Sequence, residues 1–162
     1  MTKVLYPGSF DPITKGHMNV VEQASDLFDE VVIAVLQNDS KGFGFFTLEE
    51  RLEIVRELYK DHEKVKVVLG SGAAVDLALL YGCKSIIRGL RGISDYDYEV
   101  QLAMTNREIS NGEINTILLF ADKEYQFTSS SMVKEVFGLE KDISRHVDPF
   151  VNEKMLMKRM GN

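Results

Sequence analysis

The chain of 162 residues carries a formal net charge of −6, with 44% hydrophobic and 27% charged residues. A chain of this length can bury about 70% of its unfolded surface in one domain, so we expect a single domain over residues 1–162. The acidic balance argues against a general binder of nucleic acid or anionic membranes, because such proteins neutralise phosphates with broad basic surfaces. Any phosphate site must therefore be local.

The cysteine content and the hydropathy pattern predict a cytoplasmic protein. Cys83 is the single cysteine, which excludes an internal disulfide and a cysteine-based metal cluster, and we expect it to be a buried, reduced thiol. No apolar run approaches the ~18 residues of a membrane span. The first residues lead into a strand-like run rather than a signal peptide.

Short β-branched runs predict five strands, at residues 4–6, 31–36, 65–69, 85–87 and 116–120. Segments with helical spacing follow them, carrying the apolar stripes Val20/Val21/Ala24/Leu27/Phe28, Leu48/Leu52/Val55/Leu58, Leu77/Leu80/Tyr81 and Tyr96/Val100/Ala103/Arg107. Thr47 and Glu50 form a capping-box pattern, and Gly82 would end the third helix. The alternation predicts a doubly wound parallel α/β sheet, in which ligands bind beyond the carboxyl ends of the strands.

Residues 148–162 predict a C-terminal helix. Val151, Met155 and Leu156 have helical spacing there, and we expect them to pack on this domain or on a neighbouring subunit rather than to bind a cofactor.

The loop after the first predicted strand, residues 6–17, concentrates two prolines, two glycines and a histidine where this architecture binds phosphate. Its glycines allow close approach of the backbone or a positive φ. His17 falls in the first turn of the next helix, where it can face an anion attracted by the helix N-terminus. The alternative is a tight turn in which Asp11 and Thr14 cap the helix and His17 is solvated.

Two further loops carry basic side chains at strand ends. Lys41 follows the second strand and is a candidate phosphate ligand, unless it is simply solvated. Arg88 and Arg91 follow the fourth strand among glycines, and a guanidinium binds oxyanions bidentately. Arg88 would lie nearly inside the sheet, so we expect a partner for its charge. The alternative is a structural ion pair with Asp95, Asp97 or Glu99.

The serine run 129–131 opens a helix after the fifth strand. It provides hydroxyl and N–H donors for an anion, or it merely caps the helix. Residues 70–75 match the start of a dinucleotide fingerprint, but Val75 replaces its third glycine, so we do not expect a nicotinamide or flavin site. His62 and His146 lack metal-ligand spacing and are expected at the surface.

Together these loops resemble the phosphopantetheine adenylyltransferase family of the nucleotidyltransferase superfamily, whose signature is (H/T)-x-G-H. The resemblance covers essentially the whole chain. It rests on residues 6–12 with Thr14-Lys15-Gly16-His17, on Ser40-Lys41, on Phe46-Thr47-Leu48-Glu49-Glu50-Arg51, on Ile87-Arg88-Gly89-Leu90-Arg91 with residues 95–99, and on residues 129–135.

The resemblance implies a Rossmann-like nucleotidyltransferase fold, transfer of adenylyl from ATP to 4′-phosphopantetheine without a covalent enzyme intermediate, Mg²⁺ with no protein ligand assigned, and a homohexamer. The implied catalytic residues are His17, Lys41 and Arg91. The implied contacts with phosphopantetheine are Ser9, Lys41, Ala74 and Arg88. The implied ATP contacts are Ser9, Phe10, His17, Gly89, Leu90, Arg91, Glu99, Tyr125, Gln126, Phe127, Thr128, Ser129, Ser130 and Ser131.

Two departures from the family pattern affect these expectations. Residues 42–45 read Gly-Phe-Gly-Phe, where relatives have another lysine or a proline and a shorter loop, so the reach of Lys41 is open. Ala73 and Ala74 replace larger apolar residues that line the pantetheine arm, so the pocket would be roomier there.

The alternatives to this function are a nicotinamide mononucleotide adenylyltransferase or a cytidylyltransferase, or a non-catalytic module that binds nucleotides.

Overall fold

The structure, a computed structural model, describes residues 1–37 and 44–161. Within these ranges one sheet contains five strands: β1 (Lys3–Gly8), β2 (Glu30–Leu36), β3 (Val65–Gly70), β4 (Ser85–Leu90) and β5 (Asn115–Phe120). The same ranges contain the helices α1 (Lys15–Leu27), α2 (Leu48–Tyr59), α3 (Ala74–Leu80), α4 (Ile93–Ile109), α5 (Ser130–Gly138) and α6 (Pro149–Arg159), with a 3-10 turn at Lys123–Tyr125. The predicted alternation of strands and helices is confirmed.

The strands lie in the order β3-β2-β1-β4-β5 and all neighbours are parallel. The strands β2 and β3 therefore lie on one side of β1, and the chain then crosses over so that β4 and β5 lie on the other side. This reversal places a crevice between the carboxyl ends of β1 and β4, the point at which such sheets bind ligands. The predicted doubly wound parallel sheet is confirmed.

Both faces of the sheet are covered, which explains the unbroken apolar runs of the central strands. Val4 and Ile33 belong to a core cluster that includes residues of α1, α2, α5 and α6. Their sequence neighbours Leu5 and Val32 point to the other face of the sheet and belong to a second cluster with residues of α3. Cys83 is buried in this second cluster, as expected, and burial raises the pKa of its thiol to about 11.

The predicted helix boundaries have clear chemical causes. The Thr47 hydroxyl accepts a hydrogen bond from the Glu50 amide, and the Glu50 carboxylate accepts one from the Thr47 amide, so the capping box is confirmed. Gly82 has φ of +71°, a left-handed conformation that glycine adopts without steric cost, directly after the C-cap residue of α3.

The fourth strand is longer than predicted and four apolar side chains are less buried. Arg88 and Gly89 lie inside β4, which continues to Leu90, because a partner for the arginine is available nearby. Four side chains predicted to pack against the fold are instead largely exposed: Leu27, Leu80, Tyr96 and Leu156. Leu27 and Leu80 are the last residues of their helices, where the chain turns away toward the next strand.

The C-terminal helix α6 is confirmed and packs on this chain. The Asp148 side chain caps it by accepting from the Phe150 amide. Val151 and Met155 are fully buried in the first core cluster. Among residues 1–37 and 44–161, no helix combines the length and the apolar character needed to cross a membrane.

Candidate functional site

A cavity of about 410 Å³ lies at the carboxyl edge of the sheet, where β1 and β4 diverge. Its size is in the range of small-ligand sites. Predicted site residues from three separate segments line it: Ser9, Phe10 and His17; Arg88, Gly89, Arg91 and Glu99; and Thr128, Ser129, Ser130 and Ser131. Three of the strand-end loops that the sequence singled out therefore meet in one place.

The His17 ring is held in one tautomer by the start of α1. Thr14 is the N-cap residue, and its hydroxyl accepts from the His17 amide at 3.3 Å. The Thr14 amide lies 3.0 Å from His17 Nδ1. An amide can only donate, so Nδ1 is the acceptor and the proton of the neutral ring is on Nε2. This leaves Nε2–H as the hydrogen-bond donor that the ring can offer to a ligand in the cavity.

Electrostatics keep this imidazole neutral. Burial, and to a smaller extent the positive charges of Arg91 and Arg88, together lower the pKa of His17 from 6.5 to about 4. At neutral pH the ring is therefore a hydrogen-bond donor and not a cation. The capping role and the contact with the cavity, which the sequence presented as alternatives for residues 6–17, occur together, although Asp11 does not cap α1.

The turn at Ser9 and Phe10 has an unusual backbone. Phe10 has φ of 48°, whereas neither Gly8 nor Gly16 has a positive φ. The Phe10 ring is buried and packs edge-to-face on Tyr6 at 5.3 Å and on His17 at 5.1 Å between ring centroids. A left-handed non-glycine residue is strained and persists where packing enforces it, most often at functional sites.

Arg88 has the partner that its position requires. Its Nε and Nη2 donate to the two carboxylate oxygens of Glu99 at 2.9 and 3.0 Å, a bidentate pair. The Glu99 side chain is 7% exposed and the Arg88 side chain 28% exposed. The ion pair fixes the guanidinium at the wall of the cavity while leaving part of it accessible to a ligand.

Position 89, next to Arg88, is a glycine because the structure leaves no room there for a side chain. A Cβ at this position would lie 2.9 Å from Val20 Cγ2 of α1. The backbone of β4 and the first turns of α1 therefore approach each other closely beneath the cavity.

Arg91 connects β4 to the loop before α5. Its Nη1 donates to the Thr128 carbonyl at 3.1 Å, and its Nε lies 3.7 Å from Asp95. Thr128 is nearly fully buried, and its hydroxyl lies 2.9 Å from His146 Nδ1. His146, which was expected at the surface, is half-buried, and its carbonyl accepts from the Lys15 amide.

The serine run combines capping with contact to the cavity. The Ser129 hydroxyl accepts from the Met132 amide as the N-cap of α5. The Ser130 hydroxyl donates to the Pro12 carbonyl at 2.8 Å, which ties α5 to the first loop. Ser131 is exposed and also lines the cavity. The N-terminus of α5 thus faces the same space as His17, a geometry that suits an anion.

Several predicted site residues lie elsewhere. Lys41 lies outside the described residues. Ala74 begins α3 and packs against the second core cluster, and the Leu90 side chain is buried. Tyr125 lines a neighbouring cavity beside Met18, while Gln126 and Phe127 are exposed. The exposed position of Phe127 leaves its side chain available to a ligand or to another subunit.

The cavity also contains residues that the sequence did not single out as sites. Tyr6 and Tyr98 line it, and so does Asp95, which was considered only as a structural partner of Arg88. Asp95, Tyr98 and Glu99 are spaced i, i+3 and i+4 on α4 and share one face of the helix, a periodicity that could have identified Tyr98.

Within the described ranges, no group of three His, Cys, Asp or Glu side chains is arranged to hold a metal ion. The two carboxylates that line the cavity, Asp95 and Glu99, are already paired with Arg91 and Arg88. These residues do not fit a protein-bound Mg²⁺, so a cation that enters with a nucleotide would depend on phosphate and water oxygens.

Comparison with known proteins identifies a family from the sequence, together with solved structures of similar fold. The family described as cytidylyltransferase-like matches residues 5–136. A candidate nicotinate-nucleotide adenylyltransferase from Vibrio parahaemolyticus superimposes with a TM-score of 0.70 and 19% identity, covering 98% of this chain and 93% of the other. A lipopolysaccharide core biosynthesis protein from Thermoplasma volcanium GSS1 has a TM-score of 0.54 and 18% identity, covering 76% and 98%. These structures share the fold.

Proposed function

The chain belongs to the cytidylyltransferase-like family, whose chemistry is nucleotidyl transfer, and from this premise we propose that it transfers the adenylyl group of ATP to 4′-phosphopantetheine. The products are dephospho-coenzyme A and pyrophosphate, and the reaction belongs to coenzyme A biosynthesis. The choice of acceptor rests on the resemblance of residues 87–91 and 95–99 to phosphopantetheine adenylyltransferases.

The observation that carries the proposal is the convergence of His17, Arg91 and the N-terminus of α5 on one cavity, with Arg88 at its wall. Each supplies donors for phosphate oxygens. The arrangement suits a reaction in which two phosphate groups meet, because both the donor nucleotide and the acceptor need such contacts.

The chemistry requires orientation more than a reactive side chain. An oxygen of the acceptor phosphate attacks the α-phosphorus of ATP, and the bond from that phosphorus to the bridging oxygen breaks as the electron pair leaves with pyrophosphate. His17 Nε2–H and the Arg91 guanidinium would stabilise the negative charge that develops on the oxygens. Nucleophile and leaving group are both phosphates, so no protein nucleophile is needed.

The remaining roles follow the resemblance and form part of the proposal. Lys41 and Arg88 hold the phosphate of phosphopantetheine, Ser9 contacts both substrates, and Ala74 lies along the pantetheine arm. The nucleotide contacts are Phe10, Gly89, Leu90, Arg91, Glu99 and residues 125–131. Glu99 would act through its ion pair with Arg88. Mg²⁺ would accompany ATP and neutralise its phosphates.

The assembly proposed on the same basis is a homohexamer. Sedimentation of the purified protein at micromolar concentration tests it, and a monomer under those conditions would contradict it.

Pyrophosphate release tests the proposed reaction. Purified protein with MgATP should release pyrophosphate when 4′-phosphopantetheine is added, and nicotinamide mononucleotide should not replace it. His17→Ala should lower kcat by about 10²- to 10³-fold, the loss seen when one donor to a developing oxyanion is removed. His62→Ala is the matched control, since His62 is exposed and lines a neighbouring cavity rather than this one.

If the protein releases pyrophosphate with nicotinamide mononucleotide but not with phosphopantetheine, the proposed acceptor is wrong and nicotinamide mononucleotide takes its place. Binding of ATP without turnover of any acceptor would favour a non-catalytic nucleotide-binding module.

A further inference from the structure

Arg51 is a buried arginine that holds backbone rather than a carboxylate. It lies on α2, is 7% exposed, and belongs to none of the ion pairs among the described residues. Its Nη1 donates to the Ser9 carbonyl at 2.6 Å and to the Leu36 carbonyl at 2.8 Å. Both hydrogens of this nitrogen are therefore used, and they join the turn after β1 to the end of β2.

The bond to Ser9 fixes a peptide plane at the cavity. The Ser9–Phe10 peptide is trans, so its C=O and N–H point in opposite directions. Because Arg51 holds the oxygen on the α2 side, the Phe10 N–H points away from α2. None of the hydrogen bonds among the described residues uses this N–H, and both Ser9 and Phe10 line the cavity.

We infer that Arg51 is a positioning residue: it orients the Ser9–Phe10 peptide so that the Phe10 amide serves as a donor to a nucleotide phosphate. This inference rests on the proposed function, since it specifies how one donor of that site is held. The left-handed backbone of Phe10 is consistent with an amide turned toward a ligand at a conformational cost.

The guanidinium suits this task in two ways. Its planar geometry fixes the directions of both hydrogens of Nη1, whereas the ammonium of lysine rotates freely. Its charge also polarises the peptide, because a carbonyl that accepts a charge-assisted hydrogen bond makes the N–H of the same peptide a stronger donor. A neutral side chain could fill the space but would supply neither effect.

The test compares Arg51→Met, Arg51→Lys and Arg56→Met. Arg56 is exposed on the same helix and is the matched control. Steady-state pyrophosphate release is measured with MgATP and 4′-phosphopantetheine, alongside the melting temperature of each variant. We expect Arg51→Met to lower kcat by about 100-fold, the scale of a misplaced reacting group, with the KM for phosphopantetheine unchanged. Arg51→Lys should be intermediate, and Arg56→Met should match the wild type.

A folded Arg51→Met protein with wild-type kcat would overturn the inference and leave the proposed function standing. If Arg51→Met does not fold, Arg51→Lys decides: a lowered kcat at an unchanged melting temperature supports the inference, and an unchanged kcat overturns it.

If the wild type releases no pyrophosphate with phosphopantetheine, the proposed function fails, and calorimetric binding of ATP and adenosine tests the inference instead. A folded Arg51 variant should then bind ATP about tenfold more weakly, the equivalent of one hydrogen bond to a charged group. Its affinity for adenosine should be unchanged. Equal loss for both ligands, or no loss for either, would overturn the inference.

Discussion

The histidine of the site should make the protein less stable in mild acid. Burial and the neighbouring charges of Arg91 and Arg88 lower the pKa of His17 from 6.5 to about 4 in the folded protein, while the unfolded chain keeps the ordinary value. Between these two pH values the unfolded state binds the proton and the folded state does not. The stability that depends on a neutral His17 is therefore complete above pH 6.5 and is lost as the pH falls toward 4.

A shift from 6.5 to about 4 corresponds to about 3 kcal/mol, since each pKa unit is worth about 1.4 kcal/mol. His17 is only half-buried, so solvent screens its charge and reduces the expected loss to roughly 2 kcal/mol. His17→Gln keeps a polar side chain of similar size but cannot titrate. The difference in unfolding free energy between wild type and His17→Gln isolates this group from the other titrating residues.

Urea unfolding at pH 7, 5.5 and 4 measures this difference, and an NMR titration of the imidazole measures the pKa itself. The wild type should lose roughly 2 kcal/mol relative to His17→Gln between pH 7 and pH 4. The ring should remain the Nε2–H tautomer at neutral pH. A pKa of 6.5 or above, or a free-energy difference that does not change with pH, would refute the view that His17 works as a neutral donor.

Two further predictions concern stability and are checked by urea unfolding at pH 7. Glu99→Ala should destabilise the protein by about 2 kcal/mol, less than for a fully buried pair because Arg88 remains partly exposed; no loss would contradict the importance of this ion pair. Gly44→Ala should destabilise by about 1 to 3 kcal/mol, because its Cβ would lie 2.5 Å from the Asp11 carboxylate. Gly138→Ala is the control: its Cβ would meet nothing within 4 Å, and the helix should gain about 0.5 to 1 kcal/mol.

Local chemistry explains which parts of the fold were predictable. The apolar runs of the strands and the capping pattern at Thr47 depend on residues close in sequence, so their structural meaning is visible without the fold. The rule that ligands lie beyond the carboxyl ends of parallel strands then brought the loops of His17, Arg91 and Ser129 together correctly. Each contributes to the same cavity.

The parts that were missed depend on contacts between distant residues. The fourth strand was predicted to end at residue 87, whereas β4 continues to Leu90. The partner expected for Arg88 is Glu99 on the following helix, and the fold was needed to choose it over Asp95 and Asp97. His146 was expected at the surface, and only the fold brings it to Thr128. Arg51 falls within a predicted amphipathic helix, and nothing in its sequence neighbourhood indicates that it reaches the Ser9 carbonyl.

The central claim is that the protein transfers the adenylyl group of ATP to 4′-phosphopantetheine in this cavity. A competition between two acceptors in one reaction mixture tests it most directly. The protein is incubated with MgATP and equal concentrations of 4′-phosphopantetheine and nicotinamide mononucleotide, and the products are identified by mass spectrometry. We predict dephospho-coenzyme A in an amount equal to the pyrophosphate released, and its loss with His17→Ala but not with His62→Ala. Formation of the dinucleotide product in its place, or consumption of neither acceptor, would contradict the claim.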